Sequence, residues 1–164
     1  MSPTNSGNDI ISSALDYSNY EFAIIHMGIN DLAPTYDGTK TLDEVLINFE
    51  TYINKIISSL KASNNGIKIF LATIIPSYAS SINPSYAALN EKIKEIVKYT
   101  NSVYLLDLNT YSEIATKPAY NQIHPTAFGY QKLAAEIANM ISYIIKNNPN
   151  EFNTVQFIGT DYTI

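Results

Sequence analysis

Short apolar runs alternate with long amphipathic segments along this chain, and this alternation constrains the fold more than any other feature. The predicted strands cover residues 22–27, 67–75, 103–108 and 155–158. The predicted helices cover residues 9–17, 41–65, 84–99 and 126–146, and the predicted loops cover residues 29–40, 77–83 and 109–123. Strands joined by helices of this length form parallel sheets through right-handed crossovers. We therefore expect an α/β protein, a three-layer α/β/α sandwich with a flavodoxin-like parallel sheet.

Local signals mark the ends of the predicted helices. Thr41 and Glu44 have the spacing of a capping box, and Gly66 is the expected stop of that helix. Pro84 suits a first helical turn, and Thr126 can cap the last helix. The helix positions predicted to point inward are Leu42, Val45, Leu46, Phe49, Ile53, Ile56, Ile57 and Leu60, followed by Tyr130, Leu133, Ala134, Ile137, Ile141 and Ile144.

The composition excludes several classes of protein. A length of 164 residues predicts a single domain over residues 1–164. The chain has no cysteine, so it forms no disulfide and has no thiol nucleophile. The net charge is −5 and all ten basic residues are lysines, which argues against nucleic-acid binding. No apolar run reaches the roughly 20 residues of a membrane span, and the polar N-terminus lacks the regions of a signal peptide.

Polar turns follow the predicted strands at the sheet edge where parallel α/β proteins place their sites. Asn30 lies two residues beyond Gly28, directly after the first strand. Its side-chain amide could donate a hydrogen bond to a developing oxyanion. The alternative is that Asn30 and Asp31 only form a turn.

His124 is the candidate general base, because a neutral imidazole accepts protons near neutral pH. It lies just ahead of the last predicted helix, so the alternative role is to cap that helix. The chain has one other histidine, His26, which we assign to the core beneath the sheet edge. Two histidines this far apart in the sequence, with no matching carboxylates, predict no metal site.

Three segments carry a resemblance to a known family. The sequences FAIIHMGINDL at residues 22–32 and IHPTAFGYQKLA at residues 123–134 resemble blocks III and V of the SGNH (GDSL-type) hydrolases. The sequence SGND at residues 6–9 resembles block II, whose glycine, here Gly7, supplies a second oxyanion donor. Over residues 5–146 the resemblance implies an SGNH-type α/β/α fold without a cofactor. It also implies hydrolysis of a small ester or an acylated carbohydrate through a covalent serine ester.

The chain departs from the family beside the histidine. The family places an acid three residues before this histidine, whereas this chain has Asn121. An asparagine can hold an imidazole but does not stabilise the imidazolium by charge, so we expect lower activity. Asp107 and Glu113 are candidates to compensate.

The family's first block, an apolar strand followed by Gly-Asp-Ser, also has no counterpart ahead of Gly7. Within the tail at residues 147–164, the sequence VQFIGTDYTI at residues 155–164 is similar to this block and could fill its place as a strand. Thr160 and Asp161 then stand where Asp-Ser would be. Alternatively, the tail is an edge strand or the start of a following module. The nucleophile is therefore unassigned, and its other candidates are Ser2, Ser6 and Thr163.

Three functions are consistent with these patterns. The first is an SGNH-type esterase or carbohydrate deacetylase that uses His124, Asn30 and Gly7. The second is a degenerate SGNH domain that binds glycans or serves a structural role, with some of its thirteen tyrosines as sugar-stacking surfaces. The third is an unrelated flavodoxin-like binding domain, which ranks last because the chain has no glycine-rich phosphate loop.

Overall fold

The structure is a computed structural model that describes residues 16–75, 84–112, 120–121 and 124–152, with the backbone alone for residues 120 and 121. The strands are β1 (Phe22–Ile25), β2 (Lys68–Ala72), β3 (Val103–Leu106), β4 (Tyr120–Asn121) and β5 (His124–Pro125). The helices are α1 (Ala33–Tyr36), α2 (Leu42–Ser63), α3 (Pro84–Tyr99), α4 (Leu108–Tyr111) and α5 (Ala127–Asn147), and a 3₁₀ turn covers Ile29–Leu32. The predicted alternation of strands and long helices is confirmed.

The main sheet is parallel, with the strand order β1-β2-β3. Phe22 pairs with Lys68 in the first ladder, and Ile69 pairs with Val103 in the second. Successive side chains of a strand point to opposite faces of the sheet, so β2 presents apolar side chains on both faces. Its last four residues are fully buried, as is typical of a parallel sheet covered by helices on both sides.

Helices cover the two faces of the sheet and form the predicted sandwich. α2 and α3 pack with Ile69 and Leu71 on one face. α5 packs with Phe70 and Ala72 on the other. The two faces form separate apolar clusters, and a fully buried large apolar side chain contributes about 1.5–3 kcal/mol.

Four aromatic rings pack together on the sheet face that α5 covers. Phe22, Phe70, Tyr104 and Phe152 lie with ring centroids 5.0–6.3 Å apart across the sheet. Tyr104 also donates a hydrogen bond from its hydroxyl to the carboxylate of Glu151. The chain beyond α5 is therefore held against the amino ends of the strands, where Phe22 begins β1.

Most of the predicted helix signals are confirmed. Thr41 Oγ1 accepts a hydrogen bond from the Glu44 amide at 3.3 Å, and the Glu44 carboxylate accepts from the Thr41 amide at 2.8 Å. Pro84 begins α3. The Thr126 hydroxyl accepts from the Gly129 amide at 3.2 Å at the start of α5. The inward positions predicted for the first long helix are all buried or half-buried.

Some predicted ends and faces were wrong. α2 ends at Ser63 rather than at Gly66, because Asn64 turns extended and its side chain accepts a hydrogen bond from the Gly66 amide at 2.9 Å. On α5, Tyr130 and Ala134 are exposed, because the sheet covers only a narrow stripe of that helix. Within the described residues, no helix combines the length and apolar character needed to cross a bilayer.

Two predicted loops contain short elements. The segment after β1 forms the 3₁₀ turn and α1, where Pro34 stands in the first turn with a backbone angle suited to it. The segment after β3 forms α4, because the Asp107 side chain caps it by accepting from the Thr110 amide at 3.2 Å. The predicted helix at residues 9–17 is not helical at Asp16 and Tyr17, and its remainder lies outside the described residues, as does the strand at residues 155–158.

Gly28 lies just ahead of the 3₁₀ turn, at a point where no side chain fits. Its φ of 127° is one that residues with a Cβ rarely adopt. A Cβ built there would lie 2.9 Å from Phe49 Cε2 and 3.1 Å from Leu89 Cδ2. The glycine therefore lets the chain turn directly against α2 and α3.

We expect Gly28→Ala to lower the free energy of unfolding by about 2–5 kcal/mol, through backbone strain and overpacking against Phe49. Gly38→Ala is the matched control, because Gly38 has a φ of 73° with no atom within 4 Å of a Cβ. Strain alone predicts a loss of about 1–2 kcal/mol there. Urea unfolding followed by circular dichroism measures both. Equal losses in the two variants would contradict the packing argument.

Candidate active site

A pocket of about 210 Å³ opens at the carboxyl edge of the sheet. Its walls come from the segments that follow β1 and β2 and from the start of α5. The lining residues are His26, Met27, Ile29, Ile74, Ile75, His124, Pro125, Tyr130 and Leu133. Most of this lining is apolar, and the two imidazoles are its titratable groups apart from the Tyr130 phenol.

His124 reaches this pocket from a short ladder rather than from the predicted loop. β4 and β5 are antiparallel, and Asn121 stands directly opposite His124 in their register. Pro125 and the Thr126 cap then lead into α5. His124 is exposed, so its imidazole is accessible at the pocket. The turn from β5 into the capped helix fixes where the backbone of His124 lies.

His26 lines the same pocket, so its assignment to the core was wrong. It follows β1 by one residue, and the alternation of a strand places its side chain on the α5 face with Phe22. Its side chain is exposed toward solvent on the pocket side. The protein packed around the rest of the ring disfavours the charged form, and this desolvation lowers the pKa of His26 below 6.5.

Asn30 lies in the 3₁₀ turn, next to the pocket residue Ile29, and its side chain is exposed. It borders the pocket without lining it. The turn is held by the Asp31 amide, which donates to the Gly28 carbonyl at 3.0 Å. The carboxyl edge therefore brings Asn30 and His124 to the same region. Gly7 lies outside the described residues, and for Asn121 the structure describes the backbone alone.

Asp107, a candidate to compensate for the missing acid beside His124, contacts other residues. Its carboxylate accepts from Thr73 Oγ1 at 3.2 Å and from Thr110 Oγ1 at 2.9 Å, and it lies 3.6 Å from Lys94 Nζ. It caps α4 and does not line the His124 pocket. The structure thus gives Asp107 a structural role in place of the predicted compensating one. Glu113 lies outside the described residues.

A buried amide that the sequence analysis missed supports the pocket wall. Asn90 Oδ1 accepts from the Ile74 amide at 2.9 Å, and Asn90 Nδ2 donates to the Ile74 carbonyl at 3.4 Å. These bonds satisfy both backbone groups of Ile74 where β2 has ended. The sequence carried one signal for this contact. Asn90 lies on the same side of α3 as Leu89 and Ile93, and a polar residue on a buried face needs a hydrogen-bond partner.

A second groove of about 610 Å³ runs between β3 and α5. Its lining comprises Leu105, Asp107, Tyr111, Glu136, Asn139, Met140, Tyr143 and Ile144. Tyr111 and Tyr143 are 63% and 69% exposed, so their ring faces are accessible. Across the part of the chain that the structure describes, no three histidine or acidic side chains are grouped as metal ligands.

Comparisons with known proteins agree with this architecture. The sequence profile of the GDSL-like Lipase/Acylhydrolase family matches residues 5–132. No curated protein sequence matches the chain. A solved structure of a carbohydrate esterase family 3 from Talaromyces cellulolyticus is similar with a TM-score of 0.69 and 18% identity, over 90% of this chain and 69% of the other. An acetyl esterase mutant with an acetate ion gives a TM-score of 0.68 and 19% identity, over the same shares. These likenesses confirm the SGNH-type α/β/α fold.

The lowered pKa of His26 predicts a pH dependence of stability. Below pH 6.5 the unfolded chain binds a proton at His26 more readily than the folded chain does. This contribution to the free energy of unfolding is therefore present above pH 6.5 and is lost as the pH falls toward the folded pKa. We expect the unfolding free energy of His26→Gln to fall less between pH 7.5 and 5.5 than that of the unsubstituted chain. Urea titrations at both pH values measure this change. An equal change in unfolding free energy in the variant and the unsubstituted chain would contradict desolvation of the ring.

Proposed function

Because the chain belongs to the GDSL-like Lipase/Acylhydrolase family, a family of carboxylic ester hydrolases, we propose that it hydrolyses short acyl esters of carbohydrates at the His124 pocket. The observation that carries this proposal is the placement of His124. Its imidazole lines an apolar pocket at the carboxyl edge, with the Asn30 turn at its border.

His124 acts as the general base in this proposal. A hydroxyl nucleophile transfers its proton to the imidazole as it attacks the ester carbonyl, and the imidazolium then protonates the leaving alcohol. Water hydrolyses the resulting acyl-enzyme by the same route. The hydroxyls that remain candidates are those of Ser2, Ser6, Thr160 and Thr163, all of which lie outside the described residues.

Asn30 and Gly7 serve as oxyanion donors in this reaction. The Asn30 side chain is exposed at the pocket border, where its amide can turn toward a bound ester. The turn that carries it is held by the buried backbone around Gly28. A donor carried on a backbone that is held in this way stabilises the charge that develops on the carbonyl oxygen. The role of Gly7 follows from the block II resemblance.

Asn121 orients His124 through the backbone. The two residues face each other in the β4–β5 ladder, so the position of the imidazole depends on main-chain pairing. An asparagine supplies no charge to the imidazolium, which predicts slower turnover than an acid at this position allows.

The size of the pocket and the structural neighbours support the proposed substrate class. A volume of about 210 Å³ is below the roughly 300–1,000 Å³ of sites that enclose a whole drug-sized ligand. It suits the short acyl end of a substrate whose alcohol part remains outside. The two similar structures are described as a carbohydrate esterase and an acetyl esterase, which favours acetylated sugars.

We expect His124→Ala to lower the kcat for an aryl acetate by at least about 100-fold, the scale of a lost general base. Added imidazole should restore part of this rate in the variant, because the small base can occupy the vacated space. Circular dichroism checks that the variant is folded. Equal rates in the variant and the unsubstituted chain would refute the assignment of His124.

We expect Asn30→Ala to lower kcat by about 100- to 1,000-fold with little change in KM, because an oxyanion donor acts mainly in the transition state. Asn54→Ala is the matched control, since Asn54 is an exposed asparagine on α2 and does not line the pocket. A loss seen mainly in KM would assign Asn30 to substrate binding instead.

A non-catalytic glycan-binding role is the second candidate, and the groove with Tyr111 and Tyr143 favours it. Exposed tyrosine rings stack on sugar faces, while nearby polar groups accept hydrogen bonds from the sugar hydroxyls. Absence of turnover in the unsubstituted chain, together with saturable glycan binding that Tyr143→Ala abolishes, would support this role over hydrolysis.

A further inference from the structure

His26 is a polar group on the sheet side of the His124 pocket. It follows β1 by one residue, whereas Asn30 lies four residues further along, in the 3₁₀ turn at the pocket border. The imidazole of His26 is therefore closer to the sheet than the turn that carries the proposed oxyanion donor. The lining residues Ile74 and Leu133 are buried. His26 thus shares the inner part of the pocket with apolar side chains.

The acyl end of a bound ester extends toward this inner part. In the proposed reaction the ester carbonyl lies between His124 and Asn30, and the alcohol part stays outside the pocket. The atoms beyond the carbonyl carbon are then the ones that point inward. The pocket volume of about 210 Å³ is several times the roughly 30 Å³ that one water occupies in the liquid. The pocket therefore has room beyond the single methyl of an acetyl group.

An imidazole in this position needs a hydrogen-bonding partner. Solvent reaches it while the pocket is empty, because the His26 side chain is exposed on the pocket side. Desolvation by the surrounding protein lowers the pKa of His26, and the neutral ring has one donor nitrogen and one acceptor nitrogen. An aliphatic acyl chain displaces the solvent without replacing its hydrogen bonds, whereas a hydroxyl on the acyl chain replaces them.

The other lining side chains leave this contact to His26. Apart from the two histidines and Tyr130, the lining residues are apolar. His124 exchanges protons with the nucleophile and the leaving alcohol in the proposed reaction. Tyr130 is 53% exposed, so it lies toward the mouth of the pocket. Among the described residues that line the pocket, His26 is therefore the polar group available to the acyl end.

We propose that His26 selects the acyl group by hydrogen-bonding a hydroxyl on the acyl chain, so that the site favours hydroxyacyl esters over aliphatic acyl esters of the same size. This inference rests on the proposed function, which defines the end of the substrate that enters the pocket. A site that hydrogen-bonds a substrate hydroxyl discriminates against the analogue that lacks it, because the polar group of the site is then left unpaired.

The product acids glycolate and propionate test this selection without turnover. They have the same number of heavy atoms, and glycolate carries a hydroxyl where propionate has a methyl. The chain has two histidines, so the ring-proton NMR signals of His26 and His124 can be assigned by single substitutions and report binding in the pocket. His26→Gln keeps a donor and an acceptor, and His26→Phe keeps a ring without either. Ile29→Ala is the matched control, because Ile29 lines the same pocket without a polar group.

We expect glycolate to bind the unsubstituted chain about tenfold more tightly than propionate, the scale of one hydrogen bond whose loss leaves a polar group unsatisfied. His26→Gln should keep most of this preference and His26→Phe should remove it, with the His124 signals as the readout in both variants. Ile29→Ala should change both affinities by a similar factor. Equal affinities in the unsubstituted chain would overturn the proposal, and so would a preference that survives His26→Phe or the absence of any shift with glycolate.

Ester kinetics separate a selective role of His26 from a structural one. We expect the kcat/KM for an aryl glycolate to exceed that for the matching aryl propionate, and His26→Phe to abolish this ratio. A purely structural role would lower both rates alike and leave the ratio unchanged, which would contradict the proposal. The NMR titration uses no ester, so a chain that hydrolyses neither ester refutes the proposed function and leaves the binding result valid. Equal hydrolysis of both esters would retain the proposed function and overturn the role of His26.

Discussion

The burial of β2 on both faces is the constraint on which the rest of the structure depends. Ile69 and Leu71 require one apolar layer, and Phe70 and Ala72 require another. Three helices meet this requirement, α2 and α3 on one side and α5 on the other. The sheet can then be parallel, since α2 and α3 also serve as the connections between its strands.

The parallel arrangement of the strands determines where the candidate site lies. Parallel strands end at one edge, so the segments after β1 and β2 meet there, and α5 begins beside them with His124. Gly28 tightens the first of these segments against α2 and α3, and Asn90 holds the second. Backbone geometry and core packing thus form the pocket, and the imidazoles of His26 and His124 line its wall.

Local patterns were sufficient to predict the three long helices and the three main strands that alternate with them. The Thr41–Glu44 capping box, Pro84 and Thr126 each act within one helical turn, so their neighbours in the sequence are also their partners. The family resemblance in the segments around Asn30 and His124 was sufficient for the fold class as well.

The environments of individual side chains were less predictable, because they depend on partners distant in the sequence. His26 was assigned to the core because it continues an apolar strand, but its face meets the start of α5, where a pocket opens instead of a packed layer. Tyr130 and Ala134 follow the helical period yet are exposed. Asn90 and Asp107 found their partners through tertiary contacts with residues after β2.

The attachment of α5 at both ends has a consequence for how a substrate enters. The ladder and the Thr126 cap hold its first turn, and the aromatic rings around Phe152 hold the chain just after its last turn. A helix fixed at both ends does not swing as a rigid lid. Among the described elements, access to the pocket therefore depends on rotation of exposed side chains at its wall, and the 53% exposed Tyr130 is one of these. Such rotations take picoseconds to nanoseconds, so opening of the site is not expected to limit its turnover.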